Sequence, residues 1–236
     1  MYLEKYLSQL NNQGLETSVL DVSKQIDDNV KKFFTFKDNV TGLLFGNVQS
    51  GKTAQMLGAI ARFADEGYMI FLLLTSDNVD LQRQTFLRTQ SSLIDFNVLS
   101  ERDDLKFLQD GLRKPTVIVL KKNGRILKKW REILLSCQSC KGKFLMIFDD
   151  EGDNASLNTL VNKNRQSTIN KNLDAIKDSA SSCVYFEVTA TPQSLILQSE
   201  ISGWHPKFVN YFKPGKGYLG GDFFYADPKP FCIKFT

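Results

Sequence analysis

Histidine is nearly absent: His205 is the only one in 236 residues. Catalysis of the Ser-His-Asp or Cys-His kind would have to run through that one side chain. It sits in Gly203-Trp204-His205-Pro206, with no nucleophile motif beside it. Cysteine is scarce too, at Cys137, Cys140, Cys183 and Cys232, and only the first two have a metal-like spacing. A tetrahedral zinc site needs two more ligands than that pair supplies, so reduced structural thiols are expected. No apolar run approaches the roughly 20 residues of a membrane-spanning helix. The opening Met1-Tyr2-Leu3-Glu4-Lys5-Tyr6-Leu7 lacks the apolar core and cleavage site of a signal peptide. A cytoplasmic protein without membrane contact is expected. Internal repeats and low-complexity segments are also missing.

The rest is ordinary for a globular protein. Hydrophobic residues make up 42% and charged residues 24%, and 18 phenylalanines point to an aromatic-rich core. The length fits one large domain, or one with a small appendage. A net charge of +4 and a pI near 8.8 are compatible with nucleic acid without demanding it.

One stretch carries explicit chemistry. Gly46-Asn47-Val48-Gln49-Ser50-Gly51-Lys52-Thr53 fits the phosphate-loop (Walker A) pattern G-x-x-x-x-G-K-[ST] at every required position. Its glycines let the backbone bend around an anion and turn N–H groups inward. Lys52 is the residue expected to reach the β- and γ-phosphates of ATP, and the Thr53 hydroxyl the expected Mg²⁺ ligand. Chance alone produces such a match at about the one per cent level in a chain of this length. The flanks lower that further. Residues 40–45 (VTGLLF) read as a buried strand and residues 53–63 (TAQMLGAIARF) as an amphipathic helix, which puts the anion at a helix N-terminus.

Further apolar runs at residues 69–75, 116–120, 144–148 and 183–188 read as strands buried on both faces, and residues 96–99 as a weaker one. Helices are expected from the Ser76-Asp77-Asn78 cap through Arg88, and over residues 123–135, with Ile126, Leu127, Trp130, Ile133 and Leu134 as the apolar stripe. Two amphipathic stretches, residues 2–10 and 18–36, are split by the turn signal Asn11-Asn12-Gln13-Gly14. The alternation predicts an α/β fold, a three-layer domain with a mainly parallel sheet over residues 39–236 and a helical lead-in over residues 1–38. Ligands in such sheets bind beyond the carboxyl ends of the strands.

Two polar motifs fall at such ends. Asp149-Asp150-Glu151-Gly152-Asp153 follows the 144–148 strand, where a phosphate-loop enzyme holds hydrated magnesium (Walker B) and orients the attacking water. Val188-Thr189-Ala190-Thr191-Pro192 follows the 183–188 strand. In that order, phosphate loop, D-E-x-D and T-A-T-P resemble the first RecA-like domain of superfamily 2 helicases and their relatives. Asp150-Glu151-Gly152-Asp153 stands where those proteins carry a D-E-A-D type box, with Gly152 in place of the usual alanine. The resemblance implies Asp150 as the magnesium-side carboxylate, Glu151 as the catalytic one and Asp149 as an extra acid. It implies that Thr189, Ala190 and Thr191 link ATP state to nucleic-acid binding.

A narrower resemblance covers about residues 44–224. The phosphate loop followed by Met56-Leu57-Gly58, then Asp80-Leu81-Gln82-Arg83-Gln84-Thr85, Lys121-Lys122-Asn123, Asp149-Asp150-Glu151, and Pro214-Gly215-Lys216-Gly217-Tyr218-Leu219-Gly220-Gly221 look like bacterial proteins with the Z-one domain. That family is labelled as endonuclease and associated with restriction-like or phage-defence loci. No clustered acidic–lysine nuclease signature is visible beyond the ATPase carboxylates. Helicase-like ATPases hold the nucleotide between two RecA-like domains, and the second supplies arginines worth about 10³–10⁵ in rate in related enzymes. With room for one such domain, the chain is expected to work with a second, in cis or in trans, and with nucleic acid, DNA foremost. Two function classes stay open: a nucleic-acid-dependent ATPase motor domain, and a nucleotide-binding regulatory or assembly module with little or no hydrolysis.

Residues 113–131 hold Arg113, Lys114, Lys121, Lys122, Arg125, Lys128, Lys129 and Arg131 and no acid. Lys121 and Lys122, just after a strand, are candidate contacts to a nucleic-acid backbone, balanced evenly against a solvated face; Arg125, Lys128 and Lys129 read as the wet side of the 123–135 helix. The polar stretch 154–168 reads as a substrate-facing loop or an exposed insertion.

Overall fold

Apolar runs unbroken by charge need cover on both faces, and here a parallel sheet between two helical layers provides it. The computed structural model describes residues 1–10, 16–47, 51–110, 112–151, 168–193, 195 and 205–212. Strands β1 (Val40–Gly46), β2 (Ile70–Thr75), β3 (Asn97–Ser100), β4 (Thr116–Lys121), β5 (Phe144–Asp150), β6 (Ser182–Thr189) and β7 (Phe208–Phe212) form one sheet. Its order is β3-β4-β2-β5-β6-β1-β7. All of these pairings are parallel. The helices are α1 (Tyr2–Leu10), α2 (Glu16–Phe33), α3 (Lys52–Asp65), α4 (Val79–Ser92), α5 (Asp104–Asp110), α6 (Gly124–Ser136) and α7 (Thr168–Lys177). The expected α/β class with a parallel sheet is what the chain forms.

Alternation along the strands sorts the side chains into two cores. Phe71, Leu73, Val117, Val119, Met146, Phe148, Val184 and Phe186 face α1, α2 and α3. Leu72, Leu74, Ile118, Leu120, Leu145, Ile147, Cys183 and Tyr185 face the α6–α7 side, around the fully buried Trp130. Cys137 and Cys140 are buried, free thiols in this second core.

The N-terminal helices share the first core: Leu3, Tyr6, Val19, Val22 and Ile26 pack with Met56, Ile60 and Phe63 of α3. Asp65 at the end of α3 caps α1, accepting from the N–H of Tyr2 at 2.6 Å and of Leu3 at 3.1 Å. Gly58 is required by this packing, because a Cβ there would lie 2.3 Å from Val19 Cγ1.

Three elements were not expected from sequence. Helix α5 is a seven-residue turn burying only Phe107, too short to show a period. Helix α7 is mostly polar: it buries Leu173 and Ile176, with Ile169 partly buried beside them, a thin apolar signal. Strand β7 alternates buried Phe208, Asn210 and Phe212 with exposed Val209 and Tyr211, the pattern of a half-covered edge. The 154–167 stretch, the 214–221 block and Cys232 lie outside the described residues. No helix among the described residues is long and apolar enough to cross a membrane.

Candidate nucleotide site

The three motifs end on three neighbouring strands. β1 leads to the phosphate loop, β5 ends in the acids, and β6, between them, ends in Thr189. Within the loop, Gly46, Asn47, Gly51, Lys52 and Thr53 are described, whereas Val48, Gln49 and Ser50 lie outside the described residues. Gly51 has φ 85° in the left-handed region and stands at the N-cap of α3 with no side-chain cap. The first N–H groups of α3 therefore keep the unpaired character that suits an anion. The Lys52 ammonium folds back and donates to the Asn47 carbonyl at 3.3 Å.

Asp149 and Asp150 leave the sheet on opposite faces, as consecutive strand residues must. Asp150 continues the Met146–Phe148 face and lines a cleft of about 130 Å³ with Thr53, Thr75, Ser76, Gln84, Arg88 and Glu151. Asp149 continues the Leu145–Ile147 face, is fully buried, and meets Lys122 Nζ with its Oδ1 at 2.9 Å. The Tyr185 hydroxyl donates to its other oxygen. So the strand-end aspartate that shares a cleft with Thr53 is Asp150, and Asp149 is committed to a separate ion pair.

Burial pushes the Asp150 carboxyl up to about 6, against the pull of Lys52 and with a further push from Glu151. A carboxylate that the protein alone solvates poorly is one that a divalent cation would restore to its charged form. One carboxylate plus the Thr53 hydroxyl is also the donor set of a magnesium ion that keeps most of its waters. The residues present fit Mg-nucleotide. Glu151 is exposed at the cleft edge, with φ 57° in the left-handed region unusual for glutamate. Gly152 and Asp153 lie outside the described residues.

Thr189 is buried, and its Oγ1 accepts the Thr191 N–H at 2.9 Å, closing a turn that leaves Ala190 part-buried and Thr191 exposed. His205 is exposed, away from any nucleophile in the described contacts.

Of the two candidate nucleic-acid lysines, Lys122 is corrected by the structure and Lys121 is partly buried. Lys122 has no solvent-exposed side-chain surface. Its ammonium is occupied by Asp149 and by the carbonyls of Asp150 at 3.0 Å and Glu151 at 2.6 Å, leaving it no face for a phosphate backbone. Lys121 is turned toward Glu101, 3.6 Å away, with only 14% of its side chain exposed. Arg125, Lys128 and Lys129 are on the wet side of α6. Alternation would have found Lys122, since it falls on the same face as Ile118 and Leu120. Tyr185 and the cleft-lining Gln84 and Arg88 were missed as well. Tyr185 reads as core inside a strand, and α4 joins the cleft only through the sheet order.

No protein-family profile and no curated protein matches the sequence. Solved structures do. The chain is similar to the DUF1998 helicase MrfA, determined bound to DNA, at 14% identity and a TM-score of 0.52, covering 90% of this chain and 29% of MrfA. The likeness is one of fold, an α/β domain with a mainly parallel sheet. The helicase domain of Pyrococcus furiosus Hef is also similar, at 15% identity and a TM-score of 0.42 over 78% of this chain and 37% of that one. The chain thus spans about a third of the length of each helicase structure it matches.

Proposed function

We propose that this chain binds Mg-ATP at the start of α3 and hydrolyses it as the first motor domain of a helicase-like, nucleic-acid-dependent ATPase. The observation that carries the reading is the convergence of Thr53, Asp150 and Glu151 on one cleft beside the helix N-terminus that holds Lys52. Mg-ATP, when bound, supplies the γ-phosphoryl group that passes to water. The N–H groups at the start of α3 and the Lys52 ammonium receive the phosphates. Thr53 and Asp150 hold the cation, and Glu151 takes a proton from the attacking water. The exit of Thr189-Ala190-Thr191 from the strand between the loop and the acids suits a segment that senses both.

A second RecA-like domain, in cis or in trans, belongs to this reading, because transition-state arginines come from there in the proteins the motifs resemble. Nucleic acid, DNA foremost, is the partner, supported by the helicase fold shared with MrfA. A place in restriction-like or phage defence rests on the Z-one resemblance. The test is calorimetric. Lys52→Ala is expected to abolish Mg-nucleotide binding with an unchanged melting curve; equal affinity in the two proteins overturns the assignment.

A further inference from the structure

The geometry points to Lys122 as a positioning residue that sets where Glu151 enters the cleft, an inference that rests on the ATPase reading for its catalytic part. Lysine is rarely buried completely, and a buried ammonium needs each N–H matched. Here the carbonyls of Asp150 and Glu151 accept from it at 3.0 Å and 2.6 Å, and the Asp149 carboxylate is its ion-pair partner, with Oδ1 2.9 Å away. An ammonium has three donors. Asp149 supplies the countercharge from the strand face away from the cleft and is itself held by Tyr185.

Both hydrogen bonds that the ammonium makes to the 150–151 segment go to backbone, not to side chains. Two consecutive carbonyls, turned to one cation, fix the peptide planes on both sides of the Glu151 Cα. That is where a non-glycine residue adopts φ 57°. Such a conformation persists only where surroundings over-determine it, and it clusters at functional sites. Lys122 thus ties the end of β4 to the last peptide of β5 and holds the left-handed turn from which Glu151 projects. Asn123, the next residue, fastens the same corner to the end of β2 by donating to Asp77 Oδ2 at 2.9 Å. The assembly gives Glu151 a fixed origin beside a cleft otherwise built from α3, α4 and β2.

The decisive comparison is Asp149→Asn against the pair Lys122→Met/Asp149→Asn. Asparagine keeps the shape at 149 and can still accept from Tyr185; the single variant leaves the Lys122 ammonium on the two carbonyls without its countercharge, and the pair removes both charges. Only the pair loses the two carbonyl bonds. Amide exchange over residues 149–151 is expected to rise at least about tenfold in the pair relative to Asp149→Asn, with β1 and β2 unchanged, as a locally opened segment does. Mg-nucleotide affinity is expected to agree within about threefold, while single-turnover hydrolysis falls at least about tenfold, because a misplaced base fails only in the chemical step. Unchanged exchange overturns the clamp. Faster exchange with equal hydrolysis overturns the positioning role. If the parent chain binds no Mg-nucleotide, the ATPase reading fails with the catalytic part of this inference, and the exchange measurement still decides whether Lys122 holds the turn.

Discussion

Asp149 and Asp150 are neighbours in sequence, chemically identical, and opposite in every structural respect. Asp149 is closed off on the α6–α7 side, paired with Lys122 and bonded by Tyr185. Asp150 faces Thr53 across a cleft, and burial holds its carboxyl up to about 6. One side of the strand end is a completed electrostatic unit. The other turns to the cleft a carboxyl whose charged form burial disfavours. The difference shows how a sheet separates stability from function: a one-residue step reverses the face. A buried pair costs most when broken, whereas a buried acid with no countercharge bonded to it costs most while it is charged.

The sharpest way to break this comparison is at the catalytic edge. Glu151→Gln is expected to keep Mg-nucleotide binding while turnover falls by about 10²–10⁴, the range for loss of a general base. Asp150→Ala is expected to lose binding as well. Calorimetry and single-turnover hydrolysis on both proteins read the split. Normal hydrolysis by Glu151→Gln together with a binding-competent, inactive Asp150→Asn would move the base one residue toward the N-terminus.

On the other face the effect is on stability. Lys122→Met leaves Asp149 buried without its countercharge and is expected to cost about 3–5 kcal/mol in denaturant unfolding. Asp150→Asn removes a charge that burial already disfavours, so the apo protein should stay within about 1 kcal/mol of the parent, or gain stability. Equal losses at the two positions would erase the distinction between the faces. Tyr185→Phe falls between these two: it removes a hydrogen bond to a charged group, worth about 1.5–3 kcal/mol, and leaves Mg-nucleotide affinity unchanged.

Much of the architecture was legible in the chain. Five of the seven strands announced themselves as apolar runs or short β-rich segments, and a sixth by the phosphate loop behind it. Asn78 caps α4 where the turn residues implied, accepting from the N–H of Asp80 at 2.9 Å and of Leu81 at 3.1 Å. Helix α6 buries Leu127, Trp130 and Leu134 from the expected stripe. Strand β7 escaped because it is short and Asn210 interrupts its apolar residues, and helix α7 because its few apolar residues are scattered among polar ones. Residues 1–38 read as helices laid on a domain, yet Tyr6 donates to the Ala54 carbonyl at 2.9 Å and Val19 seats against Gly58, which no periodicity within the segment can reveal.

Local sequence by itself determined that residues 46–53 form a phosphate-binding pattern, that acids follow a buried strand, and that strands and helices alternate. Those signals are short-range, written in residue type and period. Tertiary structure alone decided which acid faces Thr53, that α4 brings Gln84 and Arg88 to the same cleft, and that Lys122 belongs under the acidic turn instead of on a nucleic-acid surface. Each of those outcomes depends on strand order and on which face a residue meets after a crossover. A lysine's charge looks the same in the sequence whether water or a buried aspartate will answer it; the neighbours across β2 and β5 made the choice.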